Sequence, residues 1–198
     1  MSDPRDLLLA DLQRYALAWP GDDAAPLARY REFVLSTPDC CLREHLAGHC
    51  TGSALISCPR GENVLLLFHP YLKRWLQPGG HADGDPDLLD VATREANEET
   101  GLGLEQLLPY RLGGLERVPL DLDIHPIPAR KHEPDHFHYD LRYLLIASPD
   151  DQLTPETEEL QVAWLTLAQV EERTDEESVL RMIRKLRALP RDAEGRLV

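Results

Sequence analysis

The chain has 198 residues, 42% of them hydrophobic, enough to bury one core with an appended segment. A formal net charge of −14 argues against wrapping a nucleic-acid polymer, because phosphate binding calls for a basic surface. No apolar run approaches the roughly 18 residues of a membrane span, and the acidic opening does not read as a signal, so a cytoplasmic protein is expected; a small phosphorylated substrate stays compatible with the charge if metal ions neutralise the local field.

In chain order, residues 1–47 read as a helical extension. Asp3-Pro4 offers a cap and then a proline, Leu7, Leu8, Leu12 and Tyr15 recur at helical spacing, and Leu27, Tyr30, Phe33 and Val34 form a second amphipathic stretch. A third short helix is expected to end at Gly48, and the extension suits a lid or a homodimer contact. Cys40, Cys41, Cys50 and Cys58 show no C-x-x-C spacing and read as free thiols. A zinc knot of Cys40, Cys41, His45, His49 and Cys50 matches no ordinary ligand spacing.

Residues 48–198 read as the main domain. Ala54-Leu-Ile-Ser, a Pro-Arg-Gly-Glu-Asn turn and Val64-Leu-Leu-Leu-Phe predict an antiparallel hairpin, with the second strand central because it is apolar on both faces. Further strands are expected near Tyr110 to Glu116, Leu122 to Ile127, His136 to Ala147 and Gln161 to Leu165. Two helices with capping-box openings, Thr166 with Gln169 and Thr174 with Glu177, close the chain, with Trp164 packing beneath them. The order predicts an α/β (α+β) fold, a mixed β-sheet sandwiched between helices.

Residues 80–102 carry the chemistry. Asp85 can cap a helix, Pro86 suits its first position and Gly101 its end, predicting a helix from about Pro86 to Glu99. Leu88, Leu89, Ala92 and Ala96 can face a core, while Glu95, Glu98 and Glu99 project together over about 100° of arc. Like charges at that density share protons or bind a hard divalent ion such as Mg²⁺ or Mn²⁺. Arg94 can pair with Asp87, Asp90 or Glu98 along the helix.

Gly80, Arg94, Glu95, Glu98, Glu99, Gly101 and Leu102 resemble the Nudix hydrolase signature, G-x5-E-x7-R-E-U-x-E-E-x-G-U, with Ala96 a weak first U and Pro86 where the first glutamate is expected. The resemblance covers roughly residues 48–190. It implies an α/β/α sandwich and metal-dependent cleavage of a pyrophosphate linkage, in a nucleoside-diphosphate-linked or related small substrate. Glu98 and Glu99 would bind the metal, with Glu95 as a further ligand or as the base, and Arg94 would orient the glutamates; Gly80 belongs to the same metal-binding loop. The family's first glutamate tends to hold the arginine or help with a metal, and Asp85, Asp87 or Asp90 could stand in for it. A second candidate base lies at Glu156, Glu158 or Glu159, in what also reads as a solvated acidic loop.

The histidines form a second constellation. His136, His138, Asp140 and Arg142 alternate onto one strand face, with Phe137, Tyr139, Leu141 and Tyr143 on the other. With His81 and His49 they could ligate a second metal, Zn²⁺ or Mn²⁺, or serve as hydrogen-bonded pocket residues without one. His45, His125 and His132 read as structural or exposed. The histidine places also resemble those of isopentenyl-diphosphate isomerases, which carry a reactive cysteine where Gly79 stands, so isomerisation is a minor alternative. Arg74, Arg142, Trp75 and Tyr139 are candidates to hold phosphate or base. A domain that keeps this fold only to bind a metabolite and signal is the alternative that Pro86 favours.

Overall fold

The computed structural model describes residues 3–129, 134–155, 157 and 160–198. His132 and the loop candidates Glu156, Glu158 and Glu159 lie outside the described residues.

The elements run α1 (Arg5–Ala18), α2 (Ala24–Ser36), β1 (Gly48–Ser57), β2 (Asn63–His69), β3 (Arg74–Leu76), β4 (Gly79–His81), α3 (Leu88–Thr100), β5 (Leu108–Pro109), β6 (Asp121–Ile127), β7 (His136–Ile146), β8 (Gln161–Thr166), α4 (Leu167–Arg173) and α5 (Glu177–Ala188). One mixed sheet carries all eight strands, in the path β3-β2-β1-β7-β5, with β4 paired to β1, β6 to β7 and β8 to β2. β1 and β7 run parallel over ten paired residues, from Gly48 with Phe137 to Ser57 with Ile146. The hairpin from Ala54 to Phe68 forms as expected, and β2 is central, held between β1, β3 and β8.

Strand alternation sorts the two faces of this sheet. On one, Cys50, Ala54, Ile56, Tyr139, Leu141, Tyr143 and Leu145 pack with α1, α2 and α3. On the other, Leu55, Val64, Leu66 and Leu144 pack with α4 and α5. Helices on both faces make the predicted sandwich. Along β1 and β7 the second face turns polar towards residues 49–53 and 136–142, where His49, Thr51, Ser53, His138, Asp140 and Arg142 replace the aliphatics.

The N-terminal helices share the domain core. Leu8, Leu12, Tyr15, Tyr30 and Val34 are buried in it, the Tyr30 hydroxyl donates to the Tyr139 carbonyl at 2.7 Å, and the Tyr143 hydroxyl donates to Asp11 at 2.8 Å. Removing this segment would uncover apolar sheet surface, at about 25 cal/mol for each Å² exposed. That work as a sheet cover accounts for its amphipathic pattern.

Several local expectations change. Residues 37–47 form turns, with Cys40 donating its backbone N–H to the Thr37 carbonyl and Leu42 to Asp39, instead of a third helix. The segment Tyr110 to Glu116 has one isolated bridge, Leu112 with Leu115, because Gly113 and Gly114 both adopt positive φ and close a turn. Thr166 and Gln169 form a full capping box, whereas α5 has Glu176 at its N-cap; the Thr174 hydroxyl accepts from the Glu176 amide one residue earlier than expected. Trp164 packs on the core cluster shared with α1 to α3, since its partner across the ladder is Leu65, on that same face.

Candidate active site

α3 is held at both ends by side chains that its sequence supplies. Its N-cap is Asp87, whose carboxylate accepts from the Asp90 amide at 3.0 Å. Asp85, two residues earlier than that cap, accepts from the Asp87 amide at 2.9 Å and so shapes the approach turn instead of the helix start. Gly101 ends the helix at φ 74, a conformation that glycine reaches without strain. Leu88, Leu89, Val91, Ala92 and Ala96 are buried beneath it.

Contact with the sheet is close enough to demand glycine. A Cβ on Gly52 of β1 would sit 2.5 Å from the Leu88 carbonyl oxygen, so the first turn of α3 lies directly on β1. Gly52 pairs with Gly80 of β4, and a Cβ at Gly80 would fall 2.7 Å from Glu95 Oε1. The Glu95 carboxylate therefore lies flat against the β4 backbone. One turn on, Glu99 Oε2 accepts the Gly79 amide at 3.0 Å, while Glu98 is exposed. The structure thus brings Glu95, Glu99 and Gly80 together at the β4 edge, with Glu98 on the solvent side of the same helix end.

Arg94 pairs with Asp85, at 3.8 Å. Asp87, one of the helix partners expected for Arg94, is held by Arg117, whose guanidinium donates to its two oxygens at 2.8 and 2.9 Å and also reaches Asp11 of α1 at 3.1 Å. Of the three aspartates near Pro86, Asp85 is the one within ion-pair distance of Arg94. Both partners are about 40% exposed, and such a pair adds little to stability. Asp85→Ala is expected to leave the melting temperature nearly unchanged yet lower kcat about tenfold, as the loss of a group that orients a metal-site residue does. Equal kcat for variant and parent would show that the pair is idle.

The other face of β4 and β1 carries the imidazoles. His81 follows Gly80 on β4 and so points away from Glu95. Nitrogen atoms of His49, His81 and His138 lie within 4.8 Å of one another, His136 Nε2 is 3.4 Å from His138 Nε2, and the His125 ring centroid is 5.4 Å from that of His138. Burial, reinforced by the neighbouring His81 and His136, pushes the His49 imidazole down to about 4. Burial, with His81 and His125 next in weight, pushes His138 down to about 2. The His49 and His138 rings are neutral at pH 7. A cavity of about 320 Å³ opens onto them, lined in part by Arg43, His49, His81 and His136.

Other expected site residues are used inside the protein. Arg142 is 3% exposed and donates to Asp140 at 2.7 Å, Asp123 at 3.2 Å and the Ser178 carbonyl at 3.3 Å. Its guanidinium balances buried carboxylates and does not face a phosphate. Tyr139 stacks on Phe33 at 3.8 Å on the opposite sheet face from the imidazoles. Arg74 is exposed and pairs with Glu176, and the Arg173 guanidinium lies over the Trp75 ring, 5.5 Å from its centroid. Cys40, Cys41 and Cys50 form a buried thiol cluster of their own. A knot that also includes His49 is ruled out by alternation, since Cys50 and His49 point to opposite faces. His45 instead bonds the Gly48 carbonyl through Nδ1 at 2.8 Å. His125 and Asp123 were missed by sequence reasoning as members of the polar face; their strand alternation with Asp121 was the available signal.

Residues 51–186 match the family model of the NUDIX domain. The chain belongs to the Nudix family. A probable DHNTP pyrophosphohydrolase of Lactococcus lactis is 38% identical over 95 residues, covering 48% of this chain and 52% of that protein. An m7GpppN-mRNA hydrolase of Bos taurus is 38% identical over 80 residues, 39% of this chain and 24% of that one. The matched region thus spans about half or less of these relatives. Among solved structures, a C. elegans Ap4A hydrolase in a binary complex aligns with TM-score 0.54 at 21% identity, over 70% of this chain and 95% of that one. The E. coli dihydroneopterin triphosphate pyrophosphohydrolase aligns with TM-score 0.52 at 17% identity, over 69% and 92%. These likenesses establish the shared Nudix fold.

Proposed function

We propose that this Nudix protein is a metal-dependent pyrophosphohydrolase, acting on a nucleoside-diphosphate-linked or related small substrate by water attack on phosphorus. The observation that carries the reading is the Glu95 carboxylate lying against Gly80 with Glu98 and Glu99 on the same helix end. An all-oxygen donor set on a rigid helix suits hard Mg²⁺ or Mn²⁺. Glu98 and Glu99 would hold the ion, with Glu95 as a further ligand or as the group that takes the proton from water. When bound, such an ion would supply a Lewis acid for the diphosphate oxygens and lower the pKa of an attacking water.

The chain's own contribution is placement. Gly80 lets Glu95 approach the backbone, the Gly79 amide fixes Glu99, and Asp85 steadies Arg94, the residue directly before Glu95. The relatives' names, a probable DHNTP pyrophosphohydrolase and an m7GpppN-mRNA hydrolase among them, support the same class of substrate. Alkene isomerisation loses ground at Gly79, where a Cβ would sit 2.7 Å from Ser53 Cβ. A cysteine has no room there.

A panel of nucleotide sugars, dinucleoside polyphosphates, nucleoside triphosphates, ADP-ribose and dihydroneopterin triphosphate tests the proposal. Phosphate-containing products should appear with Mg²⁺ or Mn²⁺ and vanish with EDTA. If nothing turns over while a panel member raises the melting temperature, the protein binds a metabolite without hydrolysing it.

A further inference from the structure

Three of the four cysteines meet inside the protein, and pyrophosphate hydrolysis uses none of them. Cys40 and Cys50 are wholly buried, Cys41 is 9% exposed, and their Sγ atoms lie within 4.8 Å of one another. Cys58 shows what a lone packing thiol does in this chain: it stands just past β1, and its sulfur accepts the Asn63 amide at 3.4 Å. Buried free cysteines ordinarily act as small apolar side chains. A core that needed only volume would not have to gather three ionisable sulfurs, from the turn at residues 37–42 and from β1, at one point.

We propose that Cys40, Cys41 and Cys50 form a binding site for a single thiophilic divalent ion of the Zn²⁺ class, on the sheet face that carries α3. The donor type fits, since thiolate sulfur suits such an ion, whereas Mg²⁺ takes oxygen. Geometry fits too. With metal–sulfur bonds of about 2.3 Å, tetrahedral sulfurs stand about 3.8 Å apart, and Cys40 Sγ and Cys41 Sγ are already 4.0 Å apart. The third sulfur closes on them by a small rotation about χ1. Cys41 borders the surface, which gives the ion a way in and leaves the fourth position to water.

Backbone contacts hold the three sulfurs ready. The Cys50 amide donates to the Cys40 carbonyl at 2.7 Å, the Gly84 amide to the Cys41 carbonyl at 2.8 Å and the Ala82 amide to the Cys50 carbonyl at 3.2 Å. The turn is thereby pinned to β1 and to the loop that leads into α3, and a site arranged in advance loses little freedom when its ion arrives. Charge selects a divalent ion. Each thiol gives its proton to solvent as its metal–sulfur bond forms, so three thiolates about a divalent ion leave one negative charge. The Arg5 guanidinium, fixed by the Val34 and Leu35 carbonyls at 3.1 and 3.3 Å, is a cation that acts on Cys40 and offsets it. Asp85, which acts on Cys41, is itself paired with Arg94. A monovalent ion would leave two negative charges in the core, where uncompensated charge is costly.

The full-length protein, kept reduced with a phosphine, stripped with a chelator and handled without oxygen, is titrated with Co²⁺. A near-ultraviolet thiolate-to-metal band should grow to one equivalent and bleach when Zn²⁺ is added; that band reports sulfur ligands and is silent for imidazole or carboxylate. Cys40→Ala, Cys41→Ala and Cys50→Ala should each weaken binding on the order of a hundredfold or more, whereas Cys58→Ser, His81→Gln and Glu98→Gln should keep the band. Zn²⁺ should also raise the melting temperature of His81→Gln more than that of His81→Gln with Cys41→Ala, as an ion that binds the folded state does. Circular dichroism checks that each variant is folded; should Cys50→Ala unfold, Cys41→Ala, nearest the surface, makes the same test. The proposal is overturned if the reduced, stripped protein gives no thiolate band, if Cys40→Ala and Cys41→Ala give it like the parent, or if it disappears with Cys58→Ser or His81→Gln. Failure here leaves hydrolysis with Mg²⁺ untouched, because no thiol belongs to the glutamate site.

Discussion

Glu98→Gln is expected to lower kcat on the order of a thousandfold, the scale seen when one charge-stabilising group is lost from a catalytic centre, while the melting temperature of the metal-free protein stays the same or rises slightly. Glu98 is exposed, so its replacement costs no packing, and removing one of three neighbouring carboxylates relieves repulsion. The stabilisation that Mg²⁺ confers on the parent should shrink in the variant, since a ligand stabilises only as far as it binds the folded state. Gly80→Ala is the companion. Its new methyl meets the Glu95 carboxylate, the free end of a flexible side chain, which will swing aside; activity should fall roughly ten- to a hundredfold, as when a ligand-orienting contact is lost, with little change in stability. Steady-state kinetics and thermal melts with and without Mg²⁺ check both, and a Glu98→Gln enzyme as active as the parent would end the mechanism proposed here.

Gly52→Ala should act on the fold instead. The added Cβ meets the Leu88 carbonyl at 2.5 Å and the Ala92 amide at 3.2 Å, backbone atoms of a helix that is buried on this side and cannot step back. Overpacking of this kind costs typically 1–3 kcal/mol and occasionally more. At about 3 kcal/mol the melting temperature falls by roughly 6–12 °C for a chain of this length. Gly21→Ala is the control, since nothing lies within 4 Å of its Cβ position. If Gly52→Ala melts with the parent, α3 does not sit on β1 as described, and the placement of all three glutamates fails with it.

These two glycines show how unevenly the chain could be read. Gly80 and Gly101 were legible as members of a spaced motif, and Gly101 does end α3. Gly52 carried no signal, because its need for a missing side chain arises from a helix 36 residues further on. Arg142 illustrates the same limit. Alternation placed it correctly on the face of His138 and Asp140, but whether that face meets solvent depends on β6, which brings Asp121 and Asp123 to it, and on α5, which brings the Ser178 carbonyl. Its burial in an ion network, and hence its unsuitability for phosphate, came from pairing that sequence spacing cannot express.

Capping residues were legible to within a turn and no better. The observed caps Asp87 and Glu176 lie two residues from the predicted ones, Asp85 and Thr174, and several side chains of the right type compete within two or three residues for the same orphan amides. Tertiary contacts decided among them: Arg117, arriving from beyond α3, takes hold of Asp87, while Arg94 finds Asp85.

By itself the sequence determined the family, the sandwich of helices about a mixed sheet, the existence of α3 and the place of Glu95, Glu98 and Glu99 in its last two turns, because each follows from short-range periodicity and spacing. Only the tertiary structure decided that Gly80 and His81, adjacent in the chain, look out from opposite faces of β4, so that Glu95 lies against one face and the imidazoles gather on the other. A strand alternates its side chains locally, but what each face meets is fixed by the elements packed against it.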